Sequence, residues 1–132
     1  MPKENSMIDH ASIESLTAAV QRYFDLMYDG DTSRFDRVFR TTAQLHGLRD
    51  GKMAMFTAQG YKELTAGRPS PKSLSAPREE EILLMDFASP TQALVKVRVR
   101  INKTVYVDHL TYHRVDGEWL ISSKGYHVER TD

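Results

Sequence analysis

Residues 91–128, TQALVKVRVRINKTVYVDHLTYHRVDGEWLISSKGYHV, decide how this chain folds. From Ala93 to Ile101 the side chains alternate. Ala93, Val95, Val97, Val99 and Ile101 fall on one side, Leu94, Lys96, Arg98 and Arg100 on the other. A period of two marks a strand with one buried face. Asp116-Gly117, between Val115 and Glu118, is a strong hairpin signal, because a type I′ turn needs positive φ at both central residues. Asn102-Lys103 is the candidate for the preceding turn. The stretch therefore reads as three consecutive antiparallel strands.

Two-residue loops fix a register. Across the first hairpin Val99 faces Tyr106, Val97 faces Asp108, Val95 faces Leu110 and Ala93 faces Tyr112. Across the second, Tyr112 faces Ile121, Leu110 faces Ser123, Asp108 faces Gly125 and Tyr106 faces His127. Directly opposed residues share a face. The apolar stripe of the first strand thus carries Asp108 to the buried side, with Tyr106 and His127 in the adjacent row. A slip of one residue would reverse every one of these assignments.

The length suits one domain with a real core, 1–132, in which residues 1–7 are expected to be flexible. Eighteen basic and eighteen acidic residues cancel, so no overall field favours nucleic acid or a membrane surface. The absence of cysteine excludes disulfides, thiol catalysis and zinc-thiolate sites. No apolar run reaches the roughly 18 residues of a membrane span, and the polar start leads into no signal-peptide hydrophobic region. The expectation is a soluble, cytoplasmic protein.

Ile13, Leu16, Val20, Tyr23 and Met27 recur in steps of three and four, with Phe24 widening the stripe, and predict a long first helix. Asp9 or Ser12 can cap its start and Gly30 its end. A short second helix begins at Asp31 or Thr32, with Phe35, Val38 and Phe39 inward. Asp50-Gly51 marks a small hairpin, Thr57 caps a third helix over Ala58–Thr65 ended by Gly67, and residues 68–77 form a loop. A strand over Arg78–Ala88 then leads into the meander. Helices followed by antiparallel strands predict α+β, with the helices on one face of a curved sheet.

Tyr28-Asp29-Gly30-Asp31, the run from Phe39 to His46, Asp50-Gly51, Tyr106-Val107-Asp108, Asp116 to Ile121 and Lys124-Gly125-Tyr126-His127 together resemble the nuclear-transport-factor-two-like superfamily. The resemblance is nearest to the small bacterial proteins known as putative lumazine-binding and to the SnoaL-like group. It covers the chain from Ile8 onward. It implies a cystatin-like α+β barrel, a cone of curved antiparallel sheet around three N-terminal helices with a pocket at the open end. It also implies a homodimer through the outer sheet face. Leu94, Val105, Val107, Leu120, Tyr126 and Val128 are the apolar residues assigned to that face, beside Lys96, Arg98, Arg100, His109, His113 and Lys124. Members of such a superfamily differ widely in activity, so the fold leaves function open.

Asp108 is the sharpest clue. A carboxylate among valine, leucine and tyrosine is desolvated and becomes a better base. The resemblance implies isomerase-like relatives in which a pocket aspartate moves a proton and a tyrosine steadies the oxyanion. Tyr106 or Tyr23 could supply that phenol, and His127 or His46 a second acid or base. Equally, Asp108 is a buried polar group satisfied locally, and Tyr23 a core tyrosine. Three functions stay open: a binding protein for a small hydrophobic or aromatic ligand, contacted by Tyr23, His46, Tyr106, Asp108 and His127; a cofactor-free isomerase, cyclase or dehydratase with Asp108 as base; and a protein-interaction module using the outer face. No metal or cofactor is expected. His109 and His113 lie about 13 Å apart along a strand, too far to share an ion. The basic stripe Lys96, Arg98 and Arg100 lacks the aromatic platforms of a nucleic-acid surface and is expected to meet acids such as Glu79, Glu80 and Glu81 across a dimer. Trp119 shares the parity of Ile121 and belongs to the core.

Overall fold

Two turns of matching geometry punctuate the sheet. Asp50 and Gly51 have φ of 51° and 77°, and Asp116 and Gly117 have φ of 52° and 80°, the left-handed pair that a type I′ hairpin needs. Asn102, at φ 57°, turns the chain between the other two strands of the meander. These angles come from a computed structural model, which describes residues 8–132; the expectation about residues 1–7 lies outside the described residues.

The elements run α1 (His10–Asp29), a 3-10 helix (Thr32–Arg37), β1 (Phe39–Arg49), β2 (Lys52–Thr57), α2 (Ala58–Gly67), β3 (Glu80–Ser89), β4 (Gln92–Ile101), β5 (Thr104–Val115) and β6 (Glu118–Thr131). The strands form one curved six-stranded sheet in the order β2-β1-β6-β5-β4-β3, with the helices on its concave side. All neighbours are antiparallel except β1 and β6, which run parallel. The class is the α+β, cystatin-like arrangement expected. The short second helix is 3-10 rather than α, and Phe39 already opens β1.

Local chemistry explains both ends of α1 and the start of α2. The Asp9 carboxylate accepts the Ser12 N–H at 2.9 Å and starts α1, while Gly30, in the left-handed region, donates to the Leu26 carbonyl and ends it. Thr57 accepts the Gly60 N–H at 3.0 Å and starts α2. The buried stripe of α1 runs through Ser12, Leu16, Ala19, Val20, Tyr23, Phe24, Leu26 and Met27. It passes through Ser12 rather than Ile13, so Ile13 stays 42% exposed, contrary to the periodicity reading. Trp119 is in the core, edge-on to Phe87, and its Nε1–H donates to Ser15 Oγ at 3.1 Å. Phe35 and Phe39 stack at 4.8 Å beneath Tyr61.

The β4–β5 register is the one derived from the Asn102-Lys103 turn, with Val97 opposite Asp108 and Val99 opposite Tyr106. The β5–β6 register agrees only as far as Tyr112 opposite Ile121. Between Thr111 and Tyr112 the ladder shifts by one: Thr111 faces Ser123, and Ser122 is the extra residue of a bulge. Beyond it Leu110 faces Lys124, Asp108 faces Tyr126 and Tyr106 faces Val128. The expected pairings of Leu110 with Ser123, Asp108 with Gly125 and Tyr106 with His127 are therefore corrected. One extra residue turns every later side chain over. Lys124, Tyr126 and Val128 leave the outer face for the inner one, and His127 goes the other way. Val105, also assigned to the outer face, is buried.

The two arginines of the basic stripe find acids within the same chain. Arg98 bonds to Glu81 and Glu129, and Arg100 to Glu79 and Asp132. A partner subunit is not needed to neutralise these two arginines.

Candidate active site

The inner face of the sheet can be read in rows. One row runs Phe56, Leu45, Lys124, Leu110, Val95, Met85, and the next Ala54, Gly47, Tyr126, Asp108, Val97, Ile82. Lys124 and Asp108 are diagonal neighbours on adjacent strands, close enough for a long side chain to reach across. Lys124 Nζ lies 3.8 Å from Asp108 Oδ2, with Lys124 only 4% and Asp108 1% exposed. Above them α1 brings Tyr23, whose hydroxyl donates to the same Oδ2 at 2.5 Å. From α2 comes Tyr61, whose Oη accepts from Lys124 Nζ at 3.3 Å and donates to the Met27 thioether at 3.2 Å.

The Lys124 ammonium is thus caged by one carboxylate and two aromatic faces, 5.0 Å from the Tyr23 ring centroid and 4.7 Å from that of Tyr61. Burial favours the neutral amine, yet Tyr61 and Asp108 outweigh it and hold the lysine above its ordinary range. Burial pushes the Asp108 carboxyl up, against the pull of Lys124 and the Tyr23 hydroxyl. Burial and the adjacent Asp108 push Tyr23 well above an ordinary phenol. Tyr61 goes the opposite way. Burial raises it, but the Lys124 ammonium and the Arg68 guanidinium prevail and hold it below the usual phenol range. Two phenols at one lysine are thereby driven apart.

Tyr61 and Lys124 form part of the wall of a cavity of about 230 Å³, lined also by Arg49, Phe56, Leu64, Arg68, Ile101, Tyr106 and Tyr126. Its lining contains arginine and lysine and no carboxylate among the described residues. Asp108 stands one layer behind Lys124 and is not part of the wall; its Oδ1 is buried without a partner. Arg68, at the C-terminal end of α2, has a buried Nη2 with no hydrogen-bond partner. Tyr106 and Tyr126 meet edge-on at 6.2 Å in the same wall.

The residues singled out from sequence divide between the two faces. Tyr23 and Asp108 come together, and Tyr106 lines the cavity nearby. His46 and His127 do not join them. Both are exposed in a depression on the outer face with Val107, His109 and Lys96. The bulge accounts for His127, and His46 alternates with the inward Leu45 and Gly47. No group of three or more metal-binding side chains occurs among the described residues. Sequence reasoning missed Lys124, Tyr61 and Arg68. The sign for Lys124 was present: Trp119 and Ile121 have odd numbers, whereas the later apolar residues Tyr126 and Val128 have even ones. That change of parity requires an extra residue between them.

The curved sheet and the helices over it give this chain an NTF2-like, cystatin-like fold. An NTF2-like protein of unknown function from Silicibacter pomeroyi superposes with a TM-score of 0.79 at 22% identity, covering 89% of this chain and 95% of that one. One from Methylobacillus flagellatus gives 0.81 at 18%, covering 94% and 97%. A ketosteroid isomerase-like protein from Erwinia carotovora atroseptica gives 0.70 at 13%, covering 92% and 99%. At these identities the likeness is one of fold. Residues 11–127 match the family described as "Putative lumazine-binding", and the chain belongs to that family. Among curated proteins it is similar to aldolase FrzH of Cladobotryum sp, 25% identical over 122 residues, or 91% of this chain and 94% of that one. No described helix is long and apolar enough to cross a membrane.

Proposed function

We propose that this protein binds a small organic anion with a flat, aromatic body in the cavity between α2 and the sheet. The observation that carries this reading is Arg68, a cavity-lining guanidinium whose Nη2 is buried and unpartnered. Leaving such a donor unsatisfied costs about 1–3 kcal/mol, a cost removed when a ligand oxygen accepts from it. Arg49 and Lys124 add positive charge, and Phe56, Tyr61, Tyr106 and Tyr126 supply ring faces and edges. The volume suits one or two fused rings rather than a larger molecule. Lumazine, the flat heterocycle in the family's description, has that form and can lose a proton.

Calorimetry with lumazine and with phenylpyruvate tests the reading. Phenylpyruvate should bind at least about tenfold more tightly than the neutral phenylacetone, and Arg68→Leu should remove that preference, as expected for a charge-assisted hydrogen bond of about 1.5–3 kcal/mol. Equal affinity for charged and neutral probes would refute it.

A second copy of this chain is the proposed occupant of the outer face. There the register aligns Met55, His46, Gly125, His109, Lys96 and Leu84 across all strands, with Leu48 opposite Met53. Leu48, Met53, Met55 and Leu84 are between 50% and 66% exposed, which supports a surface covered in an assembly. Val107→Glu, in the centre of this face, is expected to convert a dimer to a monomer on a sizing column. An unchanged elution volume would eliminate the interface.

A further inference from the structure

We infer that Tyr61 is the acid–base group of this site, moving a proton between a bound ligand and itself at a carbon next to a carbonyl, with Lys124 as the positioning residue that stabilises its phenolate. The inference rests on the cavity being an organic-anion site. It follows from how Tyr61 is held. Its Oη donates only to the Met27 thioether, a weak acceptor, so losing the proton breaks little. The same oxygen accepts from Lys124 at 3.3 Å, so the resulting negative charge is met at once by an ammonium. Tyr61 and Lys124 both border the cavity. Tyr23 has an equally buried phenol, but its hydroxyl is committed to Asp108 and is absent from the wall.

The charged and titratable groups around Tyr61 come from each neighbouring element. Lys124 on β6 and Arg68 at the end of α2 favour its phenolate, and Asp108 on β5 opposes it. Tyr23 on α1 and Tyr126 on β6 are phenols within electrostatic reach. Asp108 acts through Lys124, keeping the amine charged.

The step conserves atoms and electrons without an oxidant or a cofactor. The Tyr61 phenolate takes a proton from the ligand's α-carbon, and the C–H pair becomes the C=C bond of an enolate. The carbonyl π pair moves to oxygen, in a wall whose charged members are Arg49, Arg68 and Lys124. Tyr61 then returns the proton to oxygen or to carbon. In an aldol addition the same enolate carbon attacks a second carbonyl, and the new alkoxide takes the proton from Tyr61. This half-reaction is shared by isomerases and aldolases, and a relative named as an aldolase supports it.

Phenylpyruvate is the probe, with exchange of its benzylic protons in D2O followed by proton NMR and its binding measured in parallel by calorimetry. The intact chain should accelerate exchange over buffer, and Tyr61→Phe should lose about 100-fold of that rate while still binding, the usual size of an acid–base contribution. The profile of exchange against pH should rise to a plateau below the ordinary phenol range, and Lys124→Met should move its inflection up by about one unit or more. Wild-type exchange in Tyr61→Phe, or an unmoved inflection in Lys124→Met, overturns the inference. Bound phenylpyruvate with no accelerated exchange also overturns it and leaves the binding reading standing. Failure of phenylpyruvate to bind removes both.

Discussion

Asp108→Asn is expected to cost about 3–5 kcal/mol of stability, because it leaves the Lys124 ammonium buried without its counter-charge. Asparagine is close to aspartate in size, and its side-chain carbonyl can still accept from the Tyr23 hydroxyl, so packing and that bond are kept. Only the charge is removed. The loss should depend on pH in a defined sense. In the variant, burial continues to favour the neutral amine, and Tyr61 remains as its main opposition. The lysine's pKa in the folded variant therefore falls below its level in the intact fold. In the intact protein the lysine is held above its ordinary value, so its stabilising contribution is lost only as pH rises through that raised folded value. The deficit of Asp108→Asn should accordingly be full near neutral pH and shrink as pH rises from the variant's lower folded lysine pKa towards the raised one of the intact protein.

Adding Lys124→Met to Asp108→Asn should recover most of the loss, since a buried pair replaced by groups without charge is often neutral in stability. Urea unfolding of the two single variants and the double one measures this. The coupling should reach about 3 kcal/mol, the upper end for residues in contact. If the single-variant losses simply add, Lys124 is not held as a cation by Asp108, and the electrostatic account of Tyr61 loses its base.

The meander could be read in sequence because its signals are local. Alternation fixed the face of β4, and the loop at Asn102-Lys103 fixed its pairing with β5, which together put Asp108 on the inner side. Asp50-Gly51 and Asp116-Gly117 each carry the conformational demand of a hairpin in two residues. The second hairpin fails as a guide after Tyr112, because the bulge at Ser122 is stabilised by a contact no local pattern encodes: His113 Nδ1 lies 2.6 Å from Ser122 Oγ. Two adjacent serines have no hydrophobic preference to announce which is the extra one. The parallel pairing of β1 with β6 was equally hidden, since it joins segments some eighty residues apart through no turn. Tyr61 and Arg68 depend on where α2 crosses the sheet, and that too is a long-range outcome. So the acid was legible, its lysine only through the change of parity after Ile121, and the tyrosine that shares it not at all.

That parallel pairing makes Gly47 the most constrained glycine near the cavity, and Gly47→Ala should cost both stability and binding. Gly47 lies opposite Tyr126 in the β1–β6 ladder and is buried. A Cβ there would overlap Cε1 and Cζ of the Tyr126 ring, which crosses directly over the glycine backbone. Its φ is not in the left-handed region, so the requirement is one of space and not of backbone strain. Relieving the overlap means tilting a ring that also packs edge-on against Tyr106. Overpacking of this kind costs about 1–3 kcal/mol. Because Tyr126 is part of the cavity wall, its displacement should also weaken phenylpyruvate binding by up to about tenfold, the worth of one good aromatic contact. The Tyr126→Ala background separates the two effects. There, Gly47→Ala should be nearly neutral in urea unfolding, since the clashing ring is gone, while phenylpyruvate binding stays weak. A Gly47→Ala protein as stable and as tight-binding as the parent would show that Tyr126 has another place to go, and that the cavity's aromatic wall does not depend on the bare backbone of β1.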